Sequence, residues 1–199
     1  MTITLDGIGK RFHKDWVFRS LSHSFTSSTR CAIAGPNGSG KSTLLKIISG
    51  QLRPSEGSVN YNRDSSRVGD EQVYQWMSVS APALELIEEF TLEEHLRFHS
   101  RFVRMSASAD QIMTAIGLTD HRHKRIADFS SGMKQRVKLA IALFSDVPVL
   151  LLDEPTSNLD KEGIAWFESE LPRQSGRLII IASNEERDLA GCDERISLG

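Results

Sequence analysis

The run Gly35-Pro36-Asn37-Gly38-Ser39-Gly40-Lys41-Ser42-Thr43 constrains this chain more than any other part of it. It follows the apolar stretch Cys31-Ala32-Ile33-Ala34 and leads into Leu44 to Ser49, which predicts a buried strand, a turn and then a helix. The spacing is G-x-x-x-x-G-K-[ST], and each residue type in it has a physical task. The glycines let successive backbone N–H groups turn inward around phosphate oxygens, and the start of the helix adds its dipole. Lys41 brings a positive charge to the β- and γ-phosphates of a nucleotide, and the Ser42 hydroxyl is a ligand for Mg2+.

The flanking pattern extends that α/β unit. Ile3 and Leu5 alternate with Thr2, Thr4 and Asp6, predicting an edge strand, and Val17 to Phe25 reads as a second extended stretch, so the N-terminus is a β region expected to be antiparallel. Gly50 closes the helix after the glycine-rich loop, Arg53 to Gly57 is a turn, and Ser58 to Asn62 is a short strand. Arg63 to Gln72 reads as a polar loop and Val73 to Val79 as a strand. From Thr91 the period becomes helical: Thr91 and Glu94 form a capping box before Leu96, Phe98, Phe102 and Val103, and helical character runs to about Arg125. Val137, Ala140, Ile141 and Phe144 mark a further helix, and Ile164, Phe167 and Leu171 another. Val149 to Leu152 and Leu178 to Ala182 are fully apolar strands. Apolar strands alternating with helices predict a parallel core sheet flanked by helices, as one domain over residues 1–199 with a helix-rich insertion at about 82–136.

Charge and size narrow the functions. A chain of 199 residues buries the core of one domain, and a net charge of −2 gives no overall attraction to nucleic acid or to an anionic bilayer. No apolar run reaches the length of a membrane span, and no N-terminal signal pattern is visible. Cys31 and Cys192 form no metal motif, and Cys31 falls in a core strand as a small apolar residue.

Two further motifs lie downstream. Leu152-Asp153-Glu154-Pro155 ends an apolar strand with two acids, and at the carboxyl end of a parallel strand such acids face a ligand. Asp153 is placed to hold Mg2+, and Glu154 to orient or deprotonate an attacking water. Phe129-Ser130-Ser131-Gly132-Met133-Lys134-Gln135-Arg136 opens the Val137 helix. Its small residues are either ordinary caps or a second anion-binding helix start.

In that order, and with Ser157-Asn158-Leu159-Asp160 following, these motifs resemble the nucleotide-binding domain of ABC (ATP-binding cassette) ATPases over essentially the whole chain. The resemblance implies a P-loop NTPase fold with a RecA-like parallel core, an N-terminal antiparallel region and a helical signature subdomain. It implies that two copies meet head to tail around two MgATP molecules. Each site then uses the loop of one copy (Gly35, Pro36, Asn37, Gly38, Ser39, Gly40, Lys41, Ser42 and Thr43) and the signature of the other (Ser130, Ser131, Gly132 and Met133). Glu154 corresponds to the catalytic glutamate and Asp160 to the D-loop aspartate. Phe12, or alternatively Trp16, falls where an aromatic stacks on adenine. The family also implies a separately encoded transmembrane permease, with this subunit on the cytoplasmic face of the membrane. Compactness resembles export-type subunits, and no nucleic acid is expected.

The chain departs from the family in three places. The signature, usually Leu-Ser-Gly-Gly-Gln, is Phe129-Ser130-Ser131-Gly132-Met133. Ala81 falls at the Q-loop glutamine, and an alanine neither ligates Mg2+ nor orders water. Asn184 falls at the switch histidine and supplies a hydrogen bond to a γ-phosphate without positive charge. Two sensors are altered while Lys41, Asp153 and Glu154 stand, so ATP binding with slow hydrolysis is expected. Two alternatives are a regulatory switch worked by ATP binding and a soluble ABC protein of repair or translation; the latter lacks support from any coiled coil, second cassette or basic excess. His95 and His99, and His121 and His123, lack companion ligands and read as solvated faces rather than a metal site. Leu84 to Phe90 is either core or the lining of the groove that, in the family, receives a membrane-subunit helix.

Overall fold

The computed structural model describes residues 1–64 and 66–199. β1 (Thr2–Phe12) and β2 (Asp15–Phe25) form a hairpin, β3 (Arg30–Ala34) leads into α1 (Lys41–Ile48), and β4 (Glu56–Arg63) and β5 (Ser66–Val68) follow. These give an antiparallel four-stranded sheet in the order β2-β1-β4-β5. β1 is therefore interior rather than the edge strand its alternation predicts. It pairs with β2 on one side and β4 on the other, which leaves Ile3, Leu5 and Ile8 fully buried.

The stretch expected to be a loop and then a strand is different. Residues 66–68 pair back onto β4, Val68 against Tyr61, and Asp70–Trp76 is a 3-10 helix; only β6 (Met77–Ser80) is extended. Val73 turns inward alone in that helix while its neighbours stay exposed or half-buried, so an apolar residue that looked like the start of a strand is one contact of a tight turn. Ser65, within the expected loop, lies outside the described residues.

α2 (Leu92–His99), α3 (Ala109–Ala115) and α4 (Ser131–Phe144) come next, then β7 (Val149–Asp153), α5 (Lys161–Glu170), β8 (Leu178–Ser183), α6 (Glu186–Leu189) and β9 (Glu194–Ser197). The second sheet has the order β6-β7-β8-β3-β9, with β7, β8, β3 and β9 parallel. Every residue of β7 and β8 is buried, which accounts for their unbroken apolar runs: both faces of the sheet are covered. The capping box at Thr91 and Glu94 forms as expected, and a second one, Ser108 with Gln111, opens α3.

The chain divides into two compact units. Residues 1–79, 148–154 and 176–199 hold the two sheets with α1, and residues 80–147 and 155–175 form a helical unit. In the first, Ile3, Leu5 and Phe25 of the antiparallel sheet share a core with Ile33, Leu44, Ile48, Leu151 and Ile180. In the second, Leu92, Leu96, Ile112, Ile126, Val137 and Ala140 make a separate core. Register sets up the site in the first unit: Ala34 pairs with Ser183, and Asp153 with Ala182. The carboxyl ends of β3, β7 and β8 thus lie side by side, at the edge where parallel sheets receive ligands.

Candidate functional site

The loop after β3 is held in a conformation that its glycines permit. Gly40 caps α1 in the left-handed region, at φ 99°, and a Cβ there would lie 2.4 Å from Cγ1 of Val17. No side chain caps α1, so its first amides are left to whatever enters the loop. The Lys41 ammonium, 6% exposed, donates to the carbonyls of Gly35 at 2.8 Å and Pro36 at 3.2 Å and lies 3.7 Å from Oε1 of Glu154. Ser39 Oγ is buried with no hydrogen-bond partner. Asn184 donates from Nδ2 to Oδ1 of Asn37 at 3.3 Å, which ties the residue after β8 to the loop. A cleft of about 350 Å3 is lined by Val17, Asn37, Lys41, Ser42, Thr43 and Glu154 among others.

The two acids sit differently. Burial pushes the Asp153 carboxyl above its ordinary range, opposed by a hydrogen bond from Ser42. Its Oδ1 is buried without a partner. A hydroxyl and a carboxylate meeting beside the loop, with one oxygen unsatisfied, suit a hard, oxygen-seeking cation such as Mg2+. Glu154 has φ 46°, a conformation that costs a non-glycine residue roughly 1–3 kcal/mol and that clusters at functional sites. Its amide donates to the Ala182 carbonyl at 2.8 Å, and its Oε2 accepts from the Ser183 hydroxyl at 3.0 Å. Ser183 in turn contacts Oδ2 of Asp188 at 2.7 Å and accepts the Glu185 N–H at 3.0 Å.

Sequence reasoning missed Val17, Ser183 and Asp188. A serine closing an otherwise apolar strand was the one visible signal for Ser183. Phe12 and Trp16 stand at the tip of the β1–β2 hairpin, 48% and 38% exposed, where Phe12 has Lys10 over its ring at 5.2 Å and Trp16 is stacked by Arg19 at 4.2 Å. Of the residues beyond the loop motif, Val17 rather than either aromatic lines the cleft.

In the helical unit, Ser130 is the N-cap of α4 and accepts the Met133 N–H at 3.2 Å. A Cβ on Gly132 would meet the Asn158 carbonyl at 2.9 Å, so the close approach of that backbone requires glycine. Ser131 is exposed and Met133 half-buried. Gln135, buried, donates to the Pro155 carbonyl at 3.0 Å. Asp160 caps α5 through the Gly163 N–H at 2.9 Å and pairs with Arg136, whose guanidinium holds the aspartate below its usual range. Ala81 is buried, and Lys138 donates to the neighbouring Pro82 carbonyl at 3.0 Å. Leu86 packs on the helical core, as the core reading of the Leu84–Phe90 segment expects, while Leu84 is exposed.

The histidines need a correction. His95 is buried, not solvated, and burial pushes its imidazole down to about 4. It faces inward because the apolar stripe of α2 includes its position between Leu92 and Leu96. Among the described residues the grouping that could hold a metal is His23, Cys31 and Glu194, outside every motif read from the sequence. Burial pushes the Cys31 thiol up to about 12. No helix among the described residues is long and apolar enough to cross a membrane.

Residues 18–157 match the family model described as ABC transporter. The chain is 30% identical over 195 residues to an uncharacterized ABC transporter ATP-binding protein, YybJ, of Bacillus subtilis, covering 92% of this chain and 86% of that protein. It is 33% identical to the cytochrome c biogenesis ATP-binding export protein CcmA of Cupriavidus pinatubonensis, covering 92% and 82% respectively. Among solved structures, the dimeric post-hydrolysis state of the ATP-binding cassette MJ0796 bound to ADP and Pi has the same fold, with a TM-score of 0.82 at 21% identity over 98% of this chain and 94% of that one. A chain so matched from β2 to beyond Glu154 belongs to the ABC transporter family, as an ATP-binding subunit of the kind whose members are ATPases.

Proposed function

We propose that this chain binds MgATP between two copies of itself, hydrolyses it, and thereby drives a separately encoded membrane permease, in the direction of export. The convergence of Lys41, Asp153 and Glu154 at the carboxyl edge of the parallel sheet carries this reading. The loop from Gly35 to Thr43 cradles the phosphates, and Lys41 exchanges its loop carbonyls for β- and γ-phosphate oxygens. Ser42 and Asp153 would hold Mg2+, which neutralises charge on the phosphates. The Glu154 carboxylate takes a proton from water as the water oxygen bonds to the γ-phosphorus, and the bond from that phosphorus to the β–γ bridging oxygen breaks, leaving ADP. Asn184, already against Asn37, reaches the γ-phosphate as a neutral donor, and with Ala81 at the Q-loop position turnover is slow.

Head-to-tail pairing brings Ser130, Ser131, Gly132, Met133 and Asp160 of one copy to the nucleotide of the other. The dimeric cassette of the same fold supports this, as the export protein CcmA supports the direction. Phe12 meets the adenine face from its exposed position on the hairpin, and the permease places the protein at the cytoplasmic face of the membrane.

The experiment is Mg-dependent ATP hydrolysis by wild type and Glu154→Gln, with ATP binding measured beside it. Loss of turnover by at least about a hundredfold with binding retained is the expected result. Binding without turnover in both proteins favours the second reading, a nucleotide-operated switch, which the Ala81 and Asn184 substitutions favour.

A further inference from the structure

The catalytic reading of Glu154 leaves open what holds its carboxylate, because the histidine that would stand beside it is Asn184, and Asn184 bonds to Asn37 instead. β8 supplies the attachment. The Glu154 amide donates to the Ala182 carbonyl, and its left-handed turn at φ 46° folds the side chain back over the same strand, where Oε2 meets the Ser183 hydroxyl at 3.0 Å. Oε1 points the other way, 3.7 Å from the Lys41 ammonium. The two carboxylate oxygens are thus held from opposite sides, one by the lysine that a γ-phosphate recruits and one by a hydroxyl that no phosphate competes for.

The Ser183 oxygen is itself fixed. It accepts the Glu185 N–H at 3.0 Å, and Asp188 Oδ2 lies 2.7 Å away on its other side, with Asp188 2% exposed. The hydroxyl has a single proton, so it serves one carboxylate at a time, and the Glu185 N–H keeps its oxygen in place beside Glu154. A serine needed only to cap the following turn, which the Glu185 contact achieves, has no call for two carboxylates.

We propose that Ser183, seated against Asp188, is the positioning residue for Glu154: it holds Oε2 so that Oε1 faces the attacking water once Lys41 engages phosphate. This rests on the hydrolytic role of Glu154 proposed above. Partners that orient a reacting carboxylate from behind are worth on the order of 10- to 100-fold in activity.

The test compares kcat and KM for ATP in wild type, Ser183→Ala, Ser183→Thr, Asp188→Ala and the Ser183→Ala/Asp188→Ala pair, with Glu154→Gln as reference. Ser183→Ala is expected to lower kcat on the order of tenfold at unchanged KM, Ser183→Thr to recover most of it, and Asp188→Ala, which removes the competing acceptor for the hydroxyl proton, to raise kcat. The pair should be no slower than Ser183→Ala alone, because Asp188 acts through the hydroxyl. An unchanged kcat in Ser183→Ala, beside a Glu154→Gln that is dead, overturns the inference and leaves the role of Glu154 standing. A rise in KM and a fall in melting temperature accompanying the loss of kcat, unrescued by threonine, assigns Ser183 a merely structural role and overturns it too. A wild type whose turnover does not depend on Glu154 overturns the hydrolytic reading and the inference with it.

Discussion

The starts of α1 and α4, both on small residues, are built differently. α1 starts from Gly40 in the left-handed region, with no side chain bonded to its open amides. α4 starts from Ser130, whose hydroxyl accepts an amide of its own first turn. One start is closed by a side chain of the chain itself and the other is not. Near α1, Ser39 Oγ and Asp153 Oδ1 are buried without partners; in the helical unit the buried Gln135 donates to the Pro155 carbonyl and the exposed Asp160 accepts the Gly163 N–H, while Ser157 Oγ and Trp166 Nε1 are buried without one. An uncapped helix start beside unsatisfied buried oxygens, as at α1, offers its amides to an anion.

The largest way to break that contrast is to give α1 a Cβ at its cap. Gly40→Ala forces a left-handed residue and sets a methyl 2.4 Å from Cγ1 of Val17. Relaxing both shifts the loop amides, and ATP affinity is expected to fall on the order of a hundredfold, read by titration of nucleotide, with the melting temperature far less affected. Affinity kept within a factor of about two would mean that the α1 amides do not carry the phosphates.

The contrast also marks what the sequence made legible. The loop from Gly35 to Thr43, Asp153 and Glu154 were readable because their chemistry is compressed into a few residues, and β7 and β8 because burial on both faces leaves no polar residue inside them. The alternation of β1 predicts an edge because it tells which face is buried but not how many neighbours the strand has. β9 passed unnoticed: Ile196 and Leu198 alternate with polar residues over too short a span to separate from a loop. Ser183 meets Glu154 across neighbouring strands, 29 residues away in sequence, which no local spacing encodes. The same holds for His95, whose burial depends on the packing of α2 rather than on its own polarity.

His95 gives the next test, confined to the helical unit. Burial, and after it the nearby His99, pushes the His95 imidazole from 6.5 down to about 4. Its Nδ1 has no hydrogen-bond partner, and the Phe90 ring stands edge-on at 6.4 Å. The folded state keeps this residue neutral while the unfolded chain protonates near its ordinary value. Between those two values the unfolded state binds more protons, so stability is present above about pH 6.5 and is lost as pH falls toward 4. By about pH 5 the loss amounts to about 2 kcal/mol. Chemical denaturation of wild type and His95→Leu across this range checks it: the variant should lose the acid slope that His95 causes, and parallel curves would place the acid sensitivity elsewhere.

The smallest effect is the sharpest test of the α4 start. Ser130→Ala removes the hydroxyl that accepts the Met133 N–H and is expected to cost about 1 kcal/mol, a melting shift of about 2–4 °C. That loss alone does not separate a cap from a ligand contact, since both roles use the same oxygen. Ser130→Asp separates them. Aspartate caps a helix as well as serine and suits its dipole, so stability should return to the wild-type value. A carboxylate facing a γ-phosphate repels it, so ATP-dependent pairing and turnover should fall further than in Ser130→Ala. Recovery of stability together with turnover would make Ser130 a cap and nothing more, and the two helix starts would then differ in function as fully as they differ in geometry.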